Sequence, residues 1–227
     1  MAKTALLLGA SGLVGSHCLP LLLANDSYHR VITWVRRPLP DRHPRLQQEI
    51  VNFDDLEGSA ASLRGVDEIF CCLGTTIRKA GSPAAFRRVD FTYPVAIARR
   101  AAQQGVKQFL IVTAMGANPR SAIFYNRVKG EVEQALQQLH LPGLHILRPS
   151  LLLGKRAEFR PAERLGIALF RLLSFAFLGP LRRYRAIAAA DVAAAMVAIA
   201  QRGRTGVNVY ESEELQEIAV GKRGGEF

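Results

Sequence analysis

Two short constellations in this chain carry chemistry in their residue types and spacing. The first is LLLGASGLVG, where Gly9, Gly12 and Gly15 close an apolar run and open an amphipathic stretch. Glycines so placed have separate tasks. Gly9 allows a tight turn, Gly12 lets a phosphate approach the backbone, and Gly15 lets a helix sit close to a sheet. Backbone N–H groups from Ser11 through Leu13, Val14 and Gly15 then face an anion, with the positive end of a helix dipole behind them. The expected ligand is the diphosphate of a dinucleotide. The second constellation is Tyr125-Asn126-Arg127-Val128-Lys129. On a helix, residues four apart share a face. An ammonium beside a phenol stabilises phenolate and draws the tyrosine down from its usual pKa near ~10. Tyr125 is therefore the expected acid toward a developing alkoxide, and the base in reverse. Lys129 is also expected to hold the nicotinamide ribose.

Supporting residues stand at the other strand ends. Thr113 is expected to donate its hydroxyl to a substrate carbonyl; the alternative is a β-branched residue filling a strand end. At the end of the second strand, VITWVRRP, an NAD-selective site would place an acidic residue against the ribose hydroxyls. Arg36 and Arg37 stand there instead. Guanidinium forks suit a 2′-phosphate, which favours NADP(H) over NAD(H), against the alternative of solvated arginines. Asp54-Asp55, ahead of Leu56, is placed either to meet the adenine amino group or to cap the next helix.

These residues need a scaffold, and the apolar runs supply one. Strands are predicted at 4–8, 31–35, 48–52, 68–72, 108–113 and 144–147, with helices at 12–24, 59–63, 83–104 and 121–139 between them. Pro94 should break or restart the third helix. This alternation is the βαβ rhythm of a doubly wound parallel sheet, a Rossmann-like α/β fold. Beyond Arg148-Pro149 a helix is expected at 163–177, then a helix at 190–201, a strand at 207–210, a short helix from Ser212 and a frayed tail from Gly221. The expected organisation is one domain over 1–227, with 1–149 mainly binding cofactor and 150–185 plus 203–227 forming a substrate-covering lobe.

Composition narrows the setting. Thirty Lys and Arg against nineteen Asp and Glu leave a charge of +11, but the basic residues are scattered in pairs, without a dedicated nucleic-acid arm. Cys18, Cys71 and Cys72 lack disulfide or zinc spacing, and His17, His29, His43, His140 and His145 lack metal-ligand spacing. The opening apolar run is too short for a secretory signal or a membrane span, so a cytoplasmic location is expected. Between Arg164 and Arg185, Leu165, Leu169, Phe170, Leu173 and Phe177 share roughly one helical side, flanked by Arg171, Arg182 and Arg183. An apolar lid over a substrate cleft is the favoured reading, weak membrane-surface association the other. Asp191 is expected to sit at a helix start, where the dipole favours it.

Taken together, these motifs resemble the short-chain dehydrogenase/reductase superfamily in its extended or atypical branch. The segments CCLGTTIRKAGS, AFRRVD, GVKQFLIVTAMGAN, FYNRVKGEVEQAL and ILRPSLLLGKR resemble, more narrowly, the Tat-interacting-protein group, over nearly the whole chain. The resemblance implies that Cys72, Leu73, Gly74 and Thr75 run past the cofactor's ribose, and that Pro149 and Leu151 pass near the nicotinamide. Two positions depart from it. Active members commonly carry serine where Thr113 or Ala114 stands, and extended members often carry asparagine near Asp90. The function expected is NADPH-dependent reduction of a small apolar carbonyl or enone, as monomer or homodimer. The alternative is an NADP(H)-sensing module that regulates a protein partner.

Overall fold

The computed structural model describes residues 2–56, 62–154 and 185–224. Its elements follow in chain order: β1 (Lys3–Leu8), α1 (Gly15–Leu23), β2 (Tyr28–Val35), β3 (Leu46–Ile50), β4 (Glu68–Cys71), α2 (Ile77–Ala80) and α3 (Pro83–Arg87). A π-helical turn (Arg88–Thr92) joins α3 to α4 (Tyr93–Gln103). Then come β5 (Gln108–Val112), α5 (Phe124–Gln137), β6 (Gly143–Arg148), β7 (Leu152–Leu153), β8 (Ile187–Ala188), α6 (Ala189–Arg202), β9 (Gly206–Glu211) and α7 (Ser212–Gly224).

Seven strands form one parallel sheet in the order β3-β2-β1-β4-β5-β6-β9, as a Rossmann-like α/β fold requires. Alternate residues on a strand point to opposite faces, so runs such as LLL are buried on both. Leu7, Phe70 and Leu110 pack with α1, α6 and α7 on one face. Leu6, Ile69 and Ile111 pack with α4 and α5 on the other. Chain order reverses between β1 and β4, and such a reversal leaves a crevice outside the carboxyl ends of the strands.

The amino edge is closed by polar chemistry. Glu68, fully buried at the start of β4, accepts bonds from Lys3 Nζ at 2.6 Å, the Tyr28 hydroxyl at 2.5 Å and Gln108 Nε2 at 2.9 Å. Three strand starts and this carboxylate are thereby tied together, since a buried carboxylate is tolerated only when paired and hydrogen-bonded.

Where the elements differ from expectation, local bonding explains the shift. β3 starts two residues early because Arg45 anchors it, with its carbonyl accepting from the Val31 N–H and its guanidinium bonding Asn25 and Tyr28 carbonyls and Asp26. α5 starts at Phe124 rather than Ser121, because Asn118 and Ser121 side chains capture the N–H groups of Arg120 and Ile123 in side-chain turns. The short α2 was not anticipated: Thr76 caps its start and Gly81, at φ +80°, ends it. After residue 203 the chain adds β9 to the main sheet and packs α7 against α6, through Leu215, Ile218 and Ala219. Gly221 to Gly224, expected to fray, continue α7. The helix expected at 163–177, with its lid or membrane reading, and most of the one at 59–63 lie outside the described residues. Among the described residues, no helix is long and apolar enough to cross a membrane.

Candidate dinucleotide site at the carboxyl edge

The glycine loop is a cradle that no larger residue fits. Gly9 leaves β1 at φ +79°, and a Cβ there would lie 2.6 Å from the Cys72 carbonyl oxygen at the end of β4. A Cβ on Gly15 would lie 2.1 Å from the Gly9 carbonyl oxygen. The Gly12 N–H turns back onto that same oxygen at 2.8 Å, so residues 10–14 form a turn and α1 begins at Gly15. Gly15 therefore seats the helix against the loop itself more than against the sheet. Ser11 is exposed, Gly12 and Leu13 are half-buried, and Val14 is buried in the core, so Val14 offers the crevice only its backbone. Free helix-start N–H groups above a crevice, with no acidic residue in the first turn of α1, fit a diphosphate.

Other predicted residues line the same edge. Arg36 and Arg37 leave β2 exposed, and among the described residues neither forms an ion pair. Leu56 is buried and its carbonyl accepts from Arg100, while Asp55 stays exposed beside it. Neighbouring Asp54 accepts from the Tyr93 hydroxyl at 2.7 Å. An open groove of about 510 Å³ runs between Phe53–Leu56 and Arg87, Arg88 and Tyr93; Tyr125 is not among its lining residues. Pro149 is buried and its carbonyl accepts from Met115 N–H at 2.9 Å, which ties the β5 and β6 exits together.

Tyr125 and Lys129 do come together. Lys129 Nζ lies 6.0 Å from the centre of the Tyr125 ring, and that ring leans on buried Phe86 of α3 at 5.7 Å. Lys129 is 5% exposed and forms an ion pair at 2.7 Å with Asp90, itself 2% exposed. The second Asp90 oxygen accepts the Thr75 N–H at 2.9 Å, and Gly74 passes directly over the pair. Burial works against the ammonium, but the Asp90 carboxylate, with Tyr125 and Cys71 adding to it, outweighs that cost and holds the Lys129 pKa above its usual value. Asp90, which the resemblance marked only as a departure from the asparagine of extended members, thus joins the site through its pairing with Lys129. The available signal was an acidic residue in a buried stretch just ahead of Pro94.

Thr113 has a different partner from the one expected. Its buried hydroxyl donates to Glu133 Oε1 at 2.6 Å, with the Leu147 carbonyl oxygen at 3.2 Å as its other neighbour. A hydroxyl has one proton to give, and here it is directed into the core, away from the crevice. Glu133 is held in turn by the Arg148 guanidinium, whose NH2 lies 2.5 Å from Oε2, and Arg148 reaches Glu211 on β9 at 3.0 Å. These bonds to two carboxylates push the Arg148 pKa further up. Glu133 was legible in principle, since Tyr125, Lys129 and Glu133 recur every four residues along one face of α5. The cysteines are free, and among the described residues no group of three metal-ligating side chains converges.

Comparison with known proteins bears on the family and the fold. A family model described as NAD(P)H-binding matches residues 9–163. Protein HTATIP2 of Rattus norvegicus is 38% identical over 171 residues, covering 74% of this chain and 70% of the relative. The mitochondrial protein FMP52 of Eremothecium gossypii is 34% identical over 166 residues, covering 73% and 74%. Among solved structures, MoeE5 in complex with UDP-glucose and NAD superposes with a TM-score of 0.69 at 16% identity, covering 98% of this chain and 82% of that one. The oxidoreductase ylbE of Lactococcus lactis gives 0.65 at 17% identity, covering 95% and 96%. At such identities the structural likeness bears on fold alone.

Proposed function

The chain belongs to the NAD(P)H-binding family, among the atypical short-chain dehydrogenase/reductases, and on that premise we propose that it is an NADPH-dependent reductase of a small, apolar carbonyl or enone. The observation that carries this reading is Lys129, buried against Gly74 and 6.0 Å from the half-buried Tyr125 ring, at the same strand edge as the glycine cradle. When bound, NADPH supplies the hydride. Gly9, Gly12 and Gly15 with the first N–H groups of α1 hold its diphosphate, and Arg36 and Arg37 hold its 2′-phosphate by charge and fork geometry. Tyr125 gives its hydroxyl proton to the oxygen that becomes the alcohol, and the Lys129 ammonium stabilises the phenolate left behind.

Substrate polarity follows from the rim. Ile77, Ile123 and Leu151 stand on the exits of β4, β5 and β6, three neighbouring strands, and Ile123 and Leu151 are 62% and 56% exposed. Large exposed aliphatics beyond the carboxyl ends of neighbouring strands favour an apolar ligand. The test is NADPH oxidation across a panel of apolar ketones, aldehydes and enones. Turnover by the wild type, lost in Tyr125→Phe with NADPH affinity retained, is the expected result. Turnover that survives Tyr125→Phe removes Tyr125 from its role.

One observation favours a second reading. Thr113 spends its proton on Glu133 and Ala114 has no hydroxyl, so neither of these two residues at the β5 exit offers a side-chain donor to a carbonyl. A catalytically weak NADP(H)-sensing module that regulates a protein partner fits that absence. NADPH binding without turnover of any panel member is its expected signature. The cytoplasmic location remains part of the proposal, to be checked by cell fractionation, because relatives of the FMP52 type carry the word mitochondrial in their names.

A further inference from the structure

We propose that Asp90 is a positioning residue that sets the charge of the cofactor site, so that the site accepts the oxidised, cationic nucleotide nearly as readily as the reduced one. The inference rests on the reading that Lys129 faces the nicotinamide ribose.

It begins at Pro94. A proline has no N–H, and its ring crowds the carbonyl four residues earlier, which here is that of Asp90. The chain accommodates this by widening into the π-helical turn Arg88–Thr92, closed by the Tyr93 N–H on the Arg88 carbonyl. Single π-turns inserted in helices recur at functional sites, because the extra residue re-aims a side chain. Here the re-aimed side chain is Asp90. Arg87, Arg88 and Thr92 around it stay near the surface, while Asp90 turns inward to Lys129 at 2.7 Å and to the Thr75 N–H at 2.9 Å. The ammonium is thereby fixed against the loop Cys72–Thr75 in advance of any ligand. A Cβ on Gly74 would lie 3.5 Å from Asp90 Oδ1 and 3.9 Å from Lys129 Nζ, so the Gly74 backbone packs directly against the pair.

The electrostatic consequence concerns the sum of the two charges. An amide at position 90 would leave the lysine as a bare positive charge beneath the nicotinamide ribose. A bare cation there repels the positively charged ring of NADP+ and leaves the neutral ring of NADPH untouched. Asp90 cancels that charge while keeping the lysine's hydrogen-bonding protons in place. At an effective dielectric near ~20, one uncompensated charge beneath the adjoining ribose changes a binding constant by roughly tenfold or more.

The test compares dissociation constants of NADP+ and NADPH, measured by calorimetry, in the wild type, Asp90→Asn and the double variant Asp90→Asn/Lys129→Met. Asparagine retains the size of aspartate and an acceptor for Thr75. In Asp90→Asn the ratio Kd(NADP+)/Kd(NADPH) should rise about tenfold. In the double variant, again without net charge, it should return to the wild-type ratio, although both nucleotides bind more weakly. A merely structural Asp90 would weaken both nucleotides together, and an unchanged ratio in Asp90→Asn overturns the proposal. Should Asp90→Asn fail to fold, the double variant carries the test alone, and a shifted ratio there overturns it. A wild type that binds neither nucleotide refutes the cofactor reading itself, an outcome distinct from binding with an unshifted ratio.

Discussion

Replacing Gly15 by alanine puts the cradle under a load that can be worked from the structure. The added Cβ would start 2.1 Å from the Gly9 carbonyl oxygen, 2.8 Å from the Gly9 carbonyl carbon and 3.0 Å from Ala10 Cα, all backbone atoms that no rotamer change can move aside. An ordinary carbon–oxygen contact needs about 3.2 Å or more, so α1 and the loop must part by roughly 1 Å. α1 is not free to slide, because Cys18, Leu19 and Leu22 are locked into the core against α6. Overpacking of this kind costs about 1–3 kcal/mol, which for a chain of this size lowers the melting midpoint by roughly 2–10 °C. The same displacement lengthens the helix-start hydrogen bonds to a phosphate beyond useful range. Losing one or two charge-assisted bonds, each worth about 1.5–3 kcal/mol, weakens NADPH binding by at least tenfold. The assay is thermal unfolding alongside calorimetric titration with NADPH. Gly221→Ala is the control: Gly221 lies within α7 with nothing within 4 Å of a new Cβ, and the change should stabilise by about 0.5–1 kcal/mol. A Gly15→Ala protein that melts like the wild type and binds NADPH with unchanged affinity would refute the close-packed cradle.

Three further outcomes follow from the same geometry. Arg36→Ala/Arg37→Ala should weaken NADPH roughly tenfold or more in calorimetry and leave NADH nearly unchanged; an unaltered NADPH constant removes the 2′-phosphate role. Thr113→Val should cost about 1 kcal/mol in urea unfolding through loss of its bond to Glu133, yet change kcat no more than a few-fold; a collapse of kcat would return the hydroxyl to the substrate. Fully buried His145, stacked on Tyr210, has its pKa lowered by burial to about 4 from an unfolded value near ~6.5. Below pH ~6.5 the unfolded chain takes up a proton that the folded one refuses, so stability is complete above that pH and about 3 kcal/mol is lost by pH 4. Unfolding free energies of the wild type and His145→Phe across this range should show a shallower acid slope in the variant; parallel slopes would place the titration elsewhere.

The parts of this molecule that were legible in its sequence are those written locally. Gly9 and Gly15 declare a tight turn because no other residue tolerates the backbone and the contact, and continuous apolar runs declare strands buried on both faces. The pairing of Tyr125 with Lys129 is likewise a helix periodicity. What escaped depends on which distant group a side chain meets. Thr113 looks the same in sequence whether its hydroxyl faces a crevice or Glu133. Asp90 reaches Lys129 only because Pro94 forces a wide turn, so the proline was readable as a break but its effect on Asp90's direction was not. Residues after 203 carry the pattern of a strand and a helix, and pattern alone does not say that the strand completes the main sheet beside β6.

The strand order also bears on how the protein is made. The ribosome delivers β1, β2 and β3 first, an outward-growing half sheet with α1 on one face. That half holds the glycine loop, yet its surroundings are missing. The loop rests on the Cys72 carbonyl at the end of β4, and α1 is covered by α6, whose residues 189–202 emerge long after it. A nascent chain therefore displays the apolar flank of α1 and β1 until α6 has emerged. Such surface is what chaperones hold. The glycine loop acquires these surroundings only after the chain has crossed the sheet from β3 to β4, and a ligand that spans β1 and β4 would then fasten the strands made before the crossing to those made after it.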